Sequence, residues 1–242
     1  MLTTQQINES NSSRLVSLKR RVSKDNLLIH EIFASIQGES SFAGWPCVFV
    51  RTAACHLRCT YCDTAHAFHD GREISVRETL ERAEQVGGGI PLIELTGGEP
   101  LLQSGSFDLM ARLCDSGKHT VLLETSGAVS IADVDKRVHA IVDVKTPGSG
   151  EAGRNVWRNL EILWPRCEVK FVICDEADYR FAREVISEYD LTSKCTVLFS
   201  PVSPEASSMS KSDLAEWIVR DRLKVRFQVQ LHKVLWGDRT GV

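Results

Sequence analysis

From Asn26 onward, the chain alternates short apolar stretches typical of β-strands with longer segments of helical periodicity. The pattern predicts strands over residues 27–36, 46–54, 91–96, 119–124, 139–144, 167–173, 195–200 and 225–230. It predicts helices from a cap at Ser75 to about residue 85 and over residues 106–115, 155–163, 175–189 and 213–221. Strand–helix–strand units are right-handed and have parallel strands, so we expect a parallel sheet covered by helices.

About six such units follow the first strand, fewer than the eight of a closed β/α barrel. The count predicts an incomplete α/β barrel that is open on one side, although a doubly wound sheet fits the pattern almost as well. In both folds the functional side chains gather at the carboxyl ends of the strands. The informative residues of this sequence follow that rule, since they come after Ala54, Leu95, Leu123, Val142, Phe199 and Val229.

The 242 residues divide into a polar extension over residues 1–25 and one folded domain over residues 26–242. The extension lacks the apolar centre of a secretory signal and is typical of a tail or capping segment, with an organellar transit peptide as the less favoured alternative. A net charge of −3 gives no reason to expect nucleic-acid binding, and no apolar run approaches the length of a membrane span. Of the eight cysteines, most are scattered through apolar segments, which indicates free thiols in a reducing compartment and predicts a cytoplasmic protein.

Three cysteines, Cys55, Cys59 and Cys62, stand together on a polar loop after the second predicted strand. Cysteine-only ligation is typical of iron–sulfur clusters, and a four-iron cluster with three protein ligands keeps one iron free for a small molecule. A zinc site completed by Asp63 or His66 is the alternative, but zinc ligands usually come as two separated pairs and the sequence has no second pair. Asp63 and not histidine follows Cys62, so the spacing does not fit haem attachment.

The segment Thr96-Gly97-Gly98-Glu99-Pro100 ends the third predicted strand. Alone it is typical of a plain strand-to-helix turn, but glycines also let a backbone approach a ligand closely. Together with the CxxxCxxC loop it resembles the radical S-adenosylmethionine (SAM) superfamily. The resemblance implies a 4Fe–4S cluster on the three cysteines, with SAM chelating the fourth iron and the Gly97-Gly98-Glu99 motif holding its amino group. Further SAM contacts are implied at Tyr61, Cys62, Asp63, Asp143, Val144, Lys145, Ser200, Pro201, Val202 and Ser203.

Six further motifs narrow the resemblance: SIQGE at 35–39, FVR at 49–51, CDT at 62–64, ETSG at 124–127, DVK at 143–145 and LHKVLWG at 231–237. Together with the CxxxCxxC loop and the Thr96–Pro100 segment, these motifs resemble the 7-carboxy-7-deazaguanine synthase family. The resemblance runs from about Ile29 to the C-terminus. The resemblance implies that 6-carboxy-5,6,7,8-tetrahydropterin is the substrate and that it loses ammonia after hydrogen abstraction by a SAM-derived radical. It implies substrate contacts at Ile36, Gln37, Gly38, Glu39, Arg51, Thr96, His232 and Val242, and Mg²⁺ ligation by Thr64.

The same resemblance implies a flavodoxin or ferredoxin as reductant and a homodimer. A radical SAM activase, which forms a glycyl radical on a partner protein, shares the cysteine loop and the partial barrel, but the SIQGE and LHK segments argue against it. A zinc-stabilised binding module is the non-enzymatic alternative. Two features depart from the family pattern: Ser40 follows QGE where glycine is usual, and the extension over residues 1–25 is longer than expected.

Overall fold

A computed structural model describes residues 22–202, 209–237, 239 and 241 of the chain. Within these residues the strands are β1 (Asn26–Ile36), β2 (Pro46–Thr52), β3 (Arg72–Ser75), β4 (Leu92–Gly97), β5 (Thr120–Thr125), β6 (His139–Asp143), β7 (Cys167–Ile173), β8 (Thr196–Pro201) and β9 (Arg226–Phe227). The α-helices are α1 (Val76–Gly87), α2 (Gly105–Asp115), α3 (Arg158–Glu161), α4 (Glu176–Glu188), α5 (Leu191–Lys194), α6 (Lys211–Arg220) and α7 (Leu231–Trp236). Short 3₁₀ helices span Ala65–Phe68, Pro100–Leu102, Pro147–Ser149 and Ala152–Arg154.

The strands form one sheet in the order β3-β1-β2-β4-β5-β6-β7-β8-β9. From β2 to β9 all neighbours are parallel and follow the order of the chain, without the reversal that a doubly wound sheet requires. Within the part of the chain that the structure describes, no strand joins β3 to β9, so the sheet does not close. The predicted incomplete α/β barrel is confirmed, and the doubly wound alternative is wrong.

The first strand departs from the prediction of a parallel sheet. β1 lies between β2 and β3 and is antiparallel to both. No helix separates β1 from β2, and a short connection between adjacent strands suits antiparallel pairing. The register places Ile36 opposite Pro46, the first residue of β2, so the Gln37–Glu39 segment begins at the amino edge of the parallel strands and not at their carboxyl edge.

Other elements differ from the prediction in extent. The helix predicted over residues 155–163 is the single turn α3. The strand predicted over residues 225–230 is reduced to β9, after which the Gln228 N–H still donates to the Phe199 carbonyl of β8 at 2.9 Å. The side chains of Gln228 and Gln230 donate hydrogen bonds to Glu39. β3 and α7 were not predicted; both are short, and periodicity needs a longer window to be detected.

Side chains on the two faces of the sheet have different surroundings, because successive residues of a strand point in opposite directions. One face packs against the helices and forms two large apolar clusters, which include Leu27, Val50, Leu95, Val121 and Val142 in the first and Val169, Phe171, Phe199 and Tyr179 in the second. The other face carries a smaller cluster, formed by Cys47, Phe49, Leu92, Leu122, Ile141 and Leu198. This cluster lies toward the amino ends of the strands, and polar side chains follow it on the same face toward the carboxyl ends.

The helices α1 and α4 begin at the caps that the sequence predicts, whereas α6 begins at Lys211, two residues before its predicted start. Ser75 caps α1 by accepting a hydrogen bond from the Glu78 N–H at 3.1 Å, and Gly88 ends the helix in the left-handed conformation. Asp175 caps α4, and Ser210 forms a capping box with Asp213 at the start of α6. Among the described residues, no helix has both the length and the apolar character needed to cross a membrane.

Candidate active site

A cavity of about 400 Å³ opens on the concave face of the sheet, beyond the small apolar cluster. Of the residues singled out in the sequence, the cavity brings together Ile36, Gln37, Gly38, Glu39, Arg51, Cys55, Cys59, Tyr61, Cys62, Asp63, Thr64, Thr96, Gly97, Gly98, Asp143, Lys145, Ser200, Pro201, Val202 and His232. Glu99 and Val144 do not line it. Ser203 and Val242 lie outside the described residues. We call Cys55, Cys59, Tyr61, Cys62, Asp143 and Lys145 the cavity rim, and Gln37, Glu39, Glu94, Glu124 and Lys170 the cavity floor.

The cysteine loop is fixed to the turn that follows β6. The Arg58 N–H donates to a carboxylate oxygen of Glu151 at 2.6 Å, and the Arg58 guanidinium donates to the Cys55 carbonyl at 2.9 Å. The Thr60 N–H donates to the Ser149 carbonyl at 3.0 Å. These contacts hold the loop by its backbone and leave its thiols directed to the cavity, which all three cysteines line.

Burial raises the pKa of the Cys55 thiol to about 12 and that of Cys59 to about 11, and it raises the pKa of Cys62 as well. The ammonium group of Lys145 acts in the opposite direction on all three thiols. None of the three forms a disulfide within the described residues. Buried thiols of this kind become thiolates when a soft metal centre supplies positive charge, so the residues fit an iron–sulfur cluster.

The glycines of the TGGEP segment allow β4 to end against β2. Gly97 has a φ of +138°, and a Cβ there would lie 2.2 Å from the Thr52 carbonyl oxygen. A Cβ on Gly98 would lie 2.2 Å from the Ala54 carbonyl oxygen. Larger residues would separate the ends of the two strands, so the packing itself requires glycine here.

Glu99 is fully buried, and its carboxylate oxygens accept hydrogen bonds from neighbouring residues of the protein. The Leu101 N–H donates to it at 2.9 Å, the Thr125 hydroxyl at 3.0 Å and the Ser126 N–H at 2.7 Å. Glu99 thereby ties the turn after β4 to the end of β5. Val144 packs in the helix-facing core, and its N–H donates to the Lys170 carbonyl at 2.8 Å. Both residues support the site without lining it.

Two polar groups of the cavity rim have no hydrogen-bond partner among the described residues: the Tyr61 hydroxyl and one carboxylate oxygen of Asp143. The other Asp143 oxygen accepts from the Lys145 ammonium at 2.8 Å. Burial alone would lower the pKa of Lys145, but Asp143, Tyr61 and Cys59 together raise it above its usual value, with Asp143 contributing most. A buried polar group without a partner is costly, so Tyr61 and Asp143 fit a polar ligand such as SAM.

The cavity floor is held together by its own charges. Lys170 lies 3.0 Å from Glu39 and is also paired with Glu124. Burial alone would lower the Lys170 pKa, but Glu124 and Glu39 raise it well above its usual value. Glu39 also accepts from the Gln230 amide at 2.9 Å, which leaves a carboxylate of fixed orientation at the bottom of the cavity.

Glu94 differs from Glu39 and Glu124, the other two carboxyl groups of the cavity floor, which are paired with Lys170. The Gln37 amide donates a hydrogen bond to its carboxyl group. Burial raises the Glu94 pKa well above its usual value, and the nearby carboxylates of Glu124 and Glu39 add to the shift. These surroundings shift Glu94 toward its neutral form, and its carboxyl group fixes the side chain of Gln37 at the amino edge of the sheet.

Asp63 and Thr64 connect the cysteine loop with α7. The Thr64 hydroxyl donates to Asp63 at 2.9 Å, and Lys233 and the Gln230 amide bind the other Asp63 oxygen at 3.2 and 3.0 Å. Burial alone would raise the Asp63 pKa, but Lys233 and these hydrogen bonds lower it. The Thr64 hydroxyl beside a carboxylate is an oxygen donor set of the kind that Mg²⁺ accepts.

Arg51 and His232 complete the wall on the β1 side. The Arg51 guanidinium donates to Glu31 at 2.8 Å, which fixes its orientation at the cavity. His232 is so close to Gly38 that a Cβ on that glycine would lie 2.2 Å from Nδ1 of the imidazole. The Leu231 N–H donates to the Gly38 carbonyl at 3.0 Å, so α7 is joined to the Gln37–Glu39 segment.

Sequence reasoning gave no site role to several charged residues of this cavity; Lys233 and Arg239 are two of them, and the others are Glu31, Glu94, Glu124 and Lys170. The sequence did contain a signal for Glu94, Glu124 and Lys170. Each interrupts an apolar strand, and parallel strands covered by helices are usually apolar throughout. A charged residue at such a position indicates a polar interior on the concave face.

Comparison with known proteins agrees with this geometry. The family model of the radical SAM superfamily matches residues 49–145, the part that carries the cysteine loop and the turn after β4. The fold is similar to the crystal structure of QueE from Escherichia coli, with a TM-score of 0.70 and 21% identity over 86% of this chain and 95% of that one. It is also similar to Streptococcus suis SuiB bound to S-adenosylmethionine, with a TM-score of 0.52 and 12% identity over 73% of this chain and 45% of that one. The chain thus carries a radical SAM domain over residues 49–145.

Curated relatives define the family more closely. A 7-carboxy-7-deazaguanine synthase from Chlorobaculum tepidum is 47% identical over 89% of this chain and 97% of its own length. One from Koribacter versatilis is 45% identical over 88% of this chain and 98% of its own length. The chain belongs to the 7-carboxy-7-deazaguanine synthase family.

Proposed function

We propose that this protein converts 6-carboxy-5,6,7,8-tetrahydropterin into 7-carboxy-7-deazaguanine with release of ammonia. The observation that carries the proposal is one cavity in which the CxxxCxxC loop faces the Glu39 carboxylate and the Arg51 guanidinium, in a chain of this family. The family relation favours this reaction over the activation of a glycyl-radical partner. The iron–sulfur chemistry expected of a radical SAM protein argues against a zinc-stabilised binding module.

The cavity rim is assigned to the cofactors. Cys55, Cys59 and Cys62 would hold a 4Fe–4S cluster, and Tyr61 and Asp143 would supply polar groups toward SAM. The residues around SAM would be Gly97, Gly98, Ser200, Pro201 and Val202. When bound and reduced, the cluster and SAM together supply the radical that removes a hydrogen atom from the substrate. The protein itself positions these groups. Lys145 and Asp143 form an ion pair without net charge beside the thiols, and the Tyr61 side chain lines the cavity.

The cavity floor is assigned to the pterin ring. Glu39 would accept hydrogen bonds from the amino-pyrimidine edge, because Lys170 and Gln230 already hold its carboxylate in one orientation. Arg51 offers a planar fork to the substrate carboxylate. Ile36, Gln37, Gly38, Thr96 and His232 would complete the pocket. Thr64 would ligate a Mg²⁺ that shares the substrate carboxylate. Glu99, Val144, Ser203 and Val242 stay predicted contacts.

The remaining features of the proposal concern the whole protein. Residues 26–242 would form the catalytic domain and residues 1–25 an extension to it. The protein would act in the cytoplasm as a homodimer, with a flavodoxin or ferredoxin as electron donor. Size measurement of the anaerobically purified protein tests the dimer, and reduction of the cluster by each donor tests the reductant.

An anaerobic turnover assay tests the proposed reaction. Reconstituted protein is incubated with the carboxylated tetrahydropterin, SAM and dithionite, with and without Mg²⁺, and products are identified by mass spectrometry. We expect 7-carboxy-7-deazaguanine and ammonia in equal amounts. A protein that binds iron and sulfide and cleaves SAM but leaves the pterin intact would contradict the proposed substrate, whereas a colourless protein containing zinc would contradict the whole assignment.

A further inference from the structure

A second group of metal-ligating side chains lies beside the cavity, apart from the cysteine loop. One ring nitrogen of His30, one ring nitrogen of His66 and one carboxylate oxygen of Glu31 all lie within 4.8 Å of one another. Glu31 and His66 line the cavity, and none of the three is a predicted ligand of the cluster, SAM or Mg²⁺. Two imidazoles and a carboxylate form a donor set for divalent transition metals, whereas Mg²⁺ prefers oxygen ligands.

A β-bulge in β1 explains why His30 and Glu31, although adjacent in sequence, both belong to this group. Ile29 is opposite Thr52 and Glu31 is opposite Arg51, so His30 is an extra residue in the pairing of β1 with β2. Such a bulge redirects a side chain that would otherwise alternate to the other face of the sheet. The third ligand, His66, comes from the 3₁₀ helix Ala65–Phe68, which follows the cysteine loop directly.

The ring of His30 has the support that metal-binding histidines usually have. Its Nδ1 lies 2.5 Å from the carbonyl oxygen of Asp70. A carbonyl only accepts, so Nδ1 carries the hydrogen and the lone pair is left on Nε2. A hydrogen bond from one ring nitrogen to a carbonyl is the usual way in which a protein orients a histidine ligand. The His30 and His66 rings are 5.1 Å apart at their centres and tilted by 53°, so they do not stack.

We propose that His30, Glu31 and His66 bind one divalent transition-metal ion, of the kind that prefers imidazole ligands, at a site separate from the cluster and from Thr64. The side chains of His66 and Glu31 are 37% and 25% exposed, so an ion reaches them from solvent. Glu31 also holds Arg51 through Oε1, the same oxygen that lies 4.0 Å from His66 Nε2, so the ion would take the second lone pair of an oxygen that already accepts from the guanidinium. The ion would join β1 to the segment that follows the cysteine loop.

Nickel binding to untagged, cluster-loaded protein tests the proposal. Ni²⁺ is titrated calorimetrically under anaerobic conditions in excess Mg²⁺, while the visible absorption of the cluster shows that the cysteines remain occupied. X-ray absorption at the nickel edge then identifies the ligand atoms. We expect one Ni²⁺ per chain, nitrogen and oxygen ligands with imidazole scattering, and no competition by Mg²⁺.

Two variants and a matched control complete the test. His66→Ala and His30→Ala should each weaken Ni²⁺ binding by about 10- to 100-fold or more. His69→Ala is the control, because His69 is an exposed imidazole of the same segment outside the group, and it should bind Ni²⁺ as the parent protein does. Absence of binding, sulfur ligands at the nickel edge, or unchanged affinity in His66→Ala would each overturn the proposal.

Discussion

The cavity rim and the cavity floor differ in how far the protein satisfies its own polar groups. At the rim, the Tyr61 hydroxyl and one Asp143 oxygen lack a partner among the described residues, and burial keeps three thiols protonated. At the floor, Lys170 is paired with two carboxylates and Glu39 accepts from three side chains. The rim therefore depends on ligands for its completion, whereas the floor is complete before a substrate binds.

The largest effect is expected at the rim. Cys59→Ala removes a cluster ligand, so iron and sulfide should fall to background and SAM cleavage and pterin turnover should be lost. Iron analysis and the anaerobic turnover assay measure this. Cys114→Ala is the control, since Cys114 lies on α2 away from the cavity and its loss should leave the cluster intact. Full turnover by Cys59→Ala without a cluster would show that the rim does not depend on a cluster for its completion.

The next largest effect is expected from Lys170→Met in the floor. The substitution leaves the half-buried carboxylates of Glu39 and Glu124 without their buried cation, so the free energy of unfolding should fall by up to about 3 kcal/mol, the lower end of the cost of breaking a buried pair. Denaturant unfolding of the cluster-free protein measures it. Adding Glu124→Gln removes one of the stranded charges and should restore part of the loss. Equal stability of Lys170→Met and the parent protein would show that the floor is not held by this pair.

A smaller effect is expected where the floor meets α7. Gly38→Ala forces a methyl group against the His232 imidazole and should cost about 1–3 kcal/mol while displacing α7. We expect a higher KM for the pterin with an unchanged iron content. Gly153→Ala is the matched control, because no atom lies within 4 Å of a Cβ at that position. If the two variants behave alike, the Gly38–His232 contact has no role in binding.

A pH dependence of stability is expected at Glu94. Burial raises the pKa of Glu94, so above the ordinary glutamate pKa the folded state retains a proton that the unfolded state has lost. Stability therefore falls as pH rises toward the raised value, by at most about 1.4 kcal/mol per pH unit. Glu94→Gln keeps an acceptor for Gln37 and removes this dependence, so the stability of the variant relative to the parent should rise with pH above the ordinary glutamate pKa. Melting temperatures that differ by a constant amount as the pH rises would contradict a raised pKa of Glu94.

Sequence patterns predicted the rim better than the floor. The rim consists of two short motifs, and each motif keeps its residues adjacent in the chain, as at Cys55–Cys62 and Asp143–Lys145. The floor is assembled from β4, β5, β7 and the Gln37–Glu39 segment, which share no local pattern. The contact of Glu39 with Lys170 joins residues 131 positions apart, so no window of sequence contains both.

The direction of β1 could not be read from its residues either. An apolar strand has the same side-chain period in both orientations, and only the absence of a helix before β2 favoured antiparallel pairing. This orientation decides where Gln37 and Glu39 enter the cavity. Glu99 illustrates a second limit, because a motif identifies a carboxylate but not whether neighbouring backbone groups will occupy it, as Leu101 and Ser126 do.

The hydrogen bond between Gln230 and Glu39 has a consequence for how the protein folds. It spans 191 positions, and the bond from the Gln228 amide spans 189, so the two ends of the domain must meet before the floor exists. Contacts of such long separation are formed slowly, because a large loop has to close first. During synthesis, the parallel strands up to β8 are available before residues 228–232 leave the ribosome. We infer that the floor, to which the proposed function assigns the pterin ring, is completed after the sheet that carries the cysteine loop.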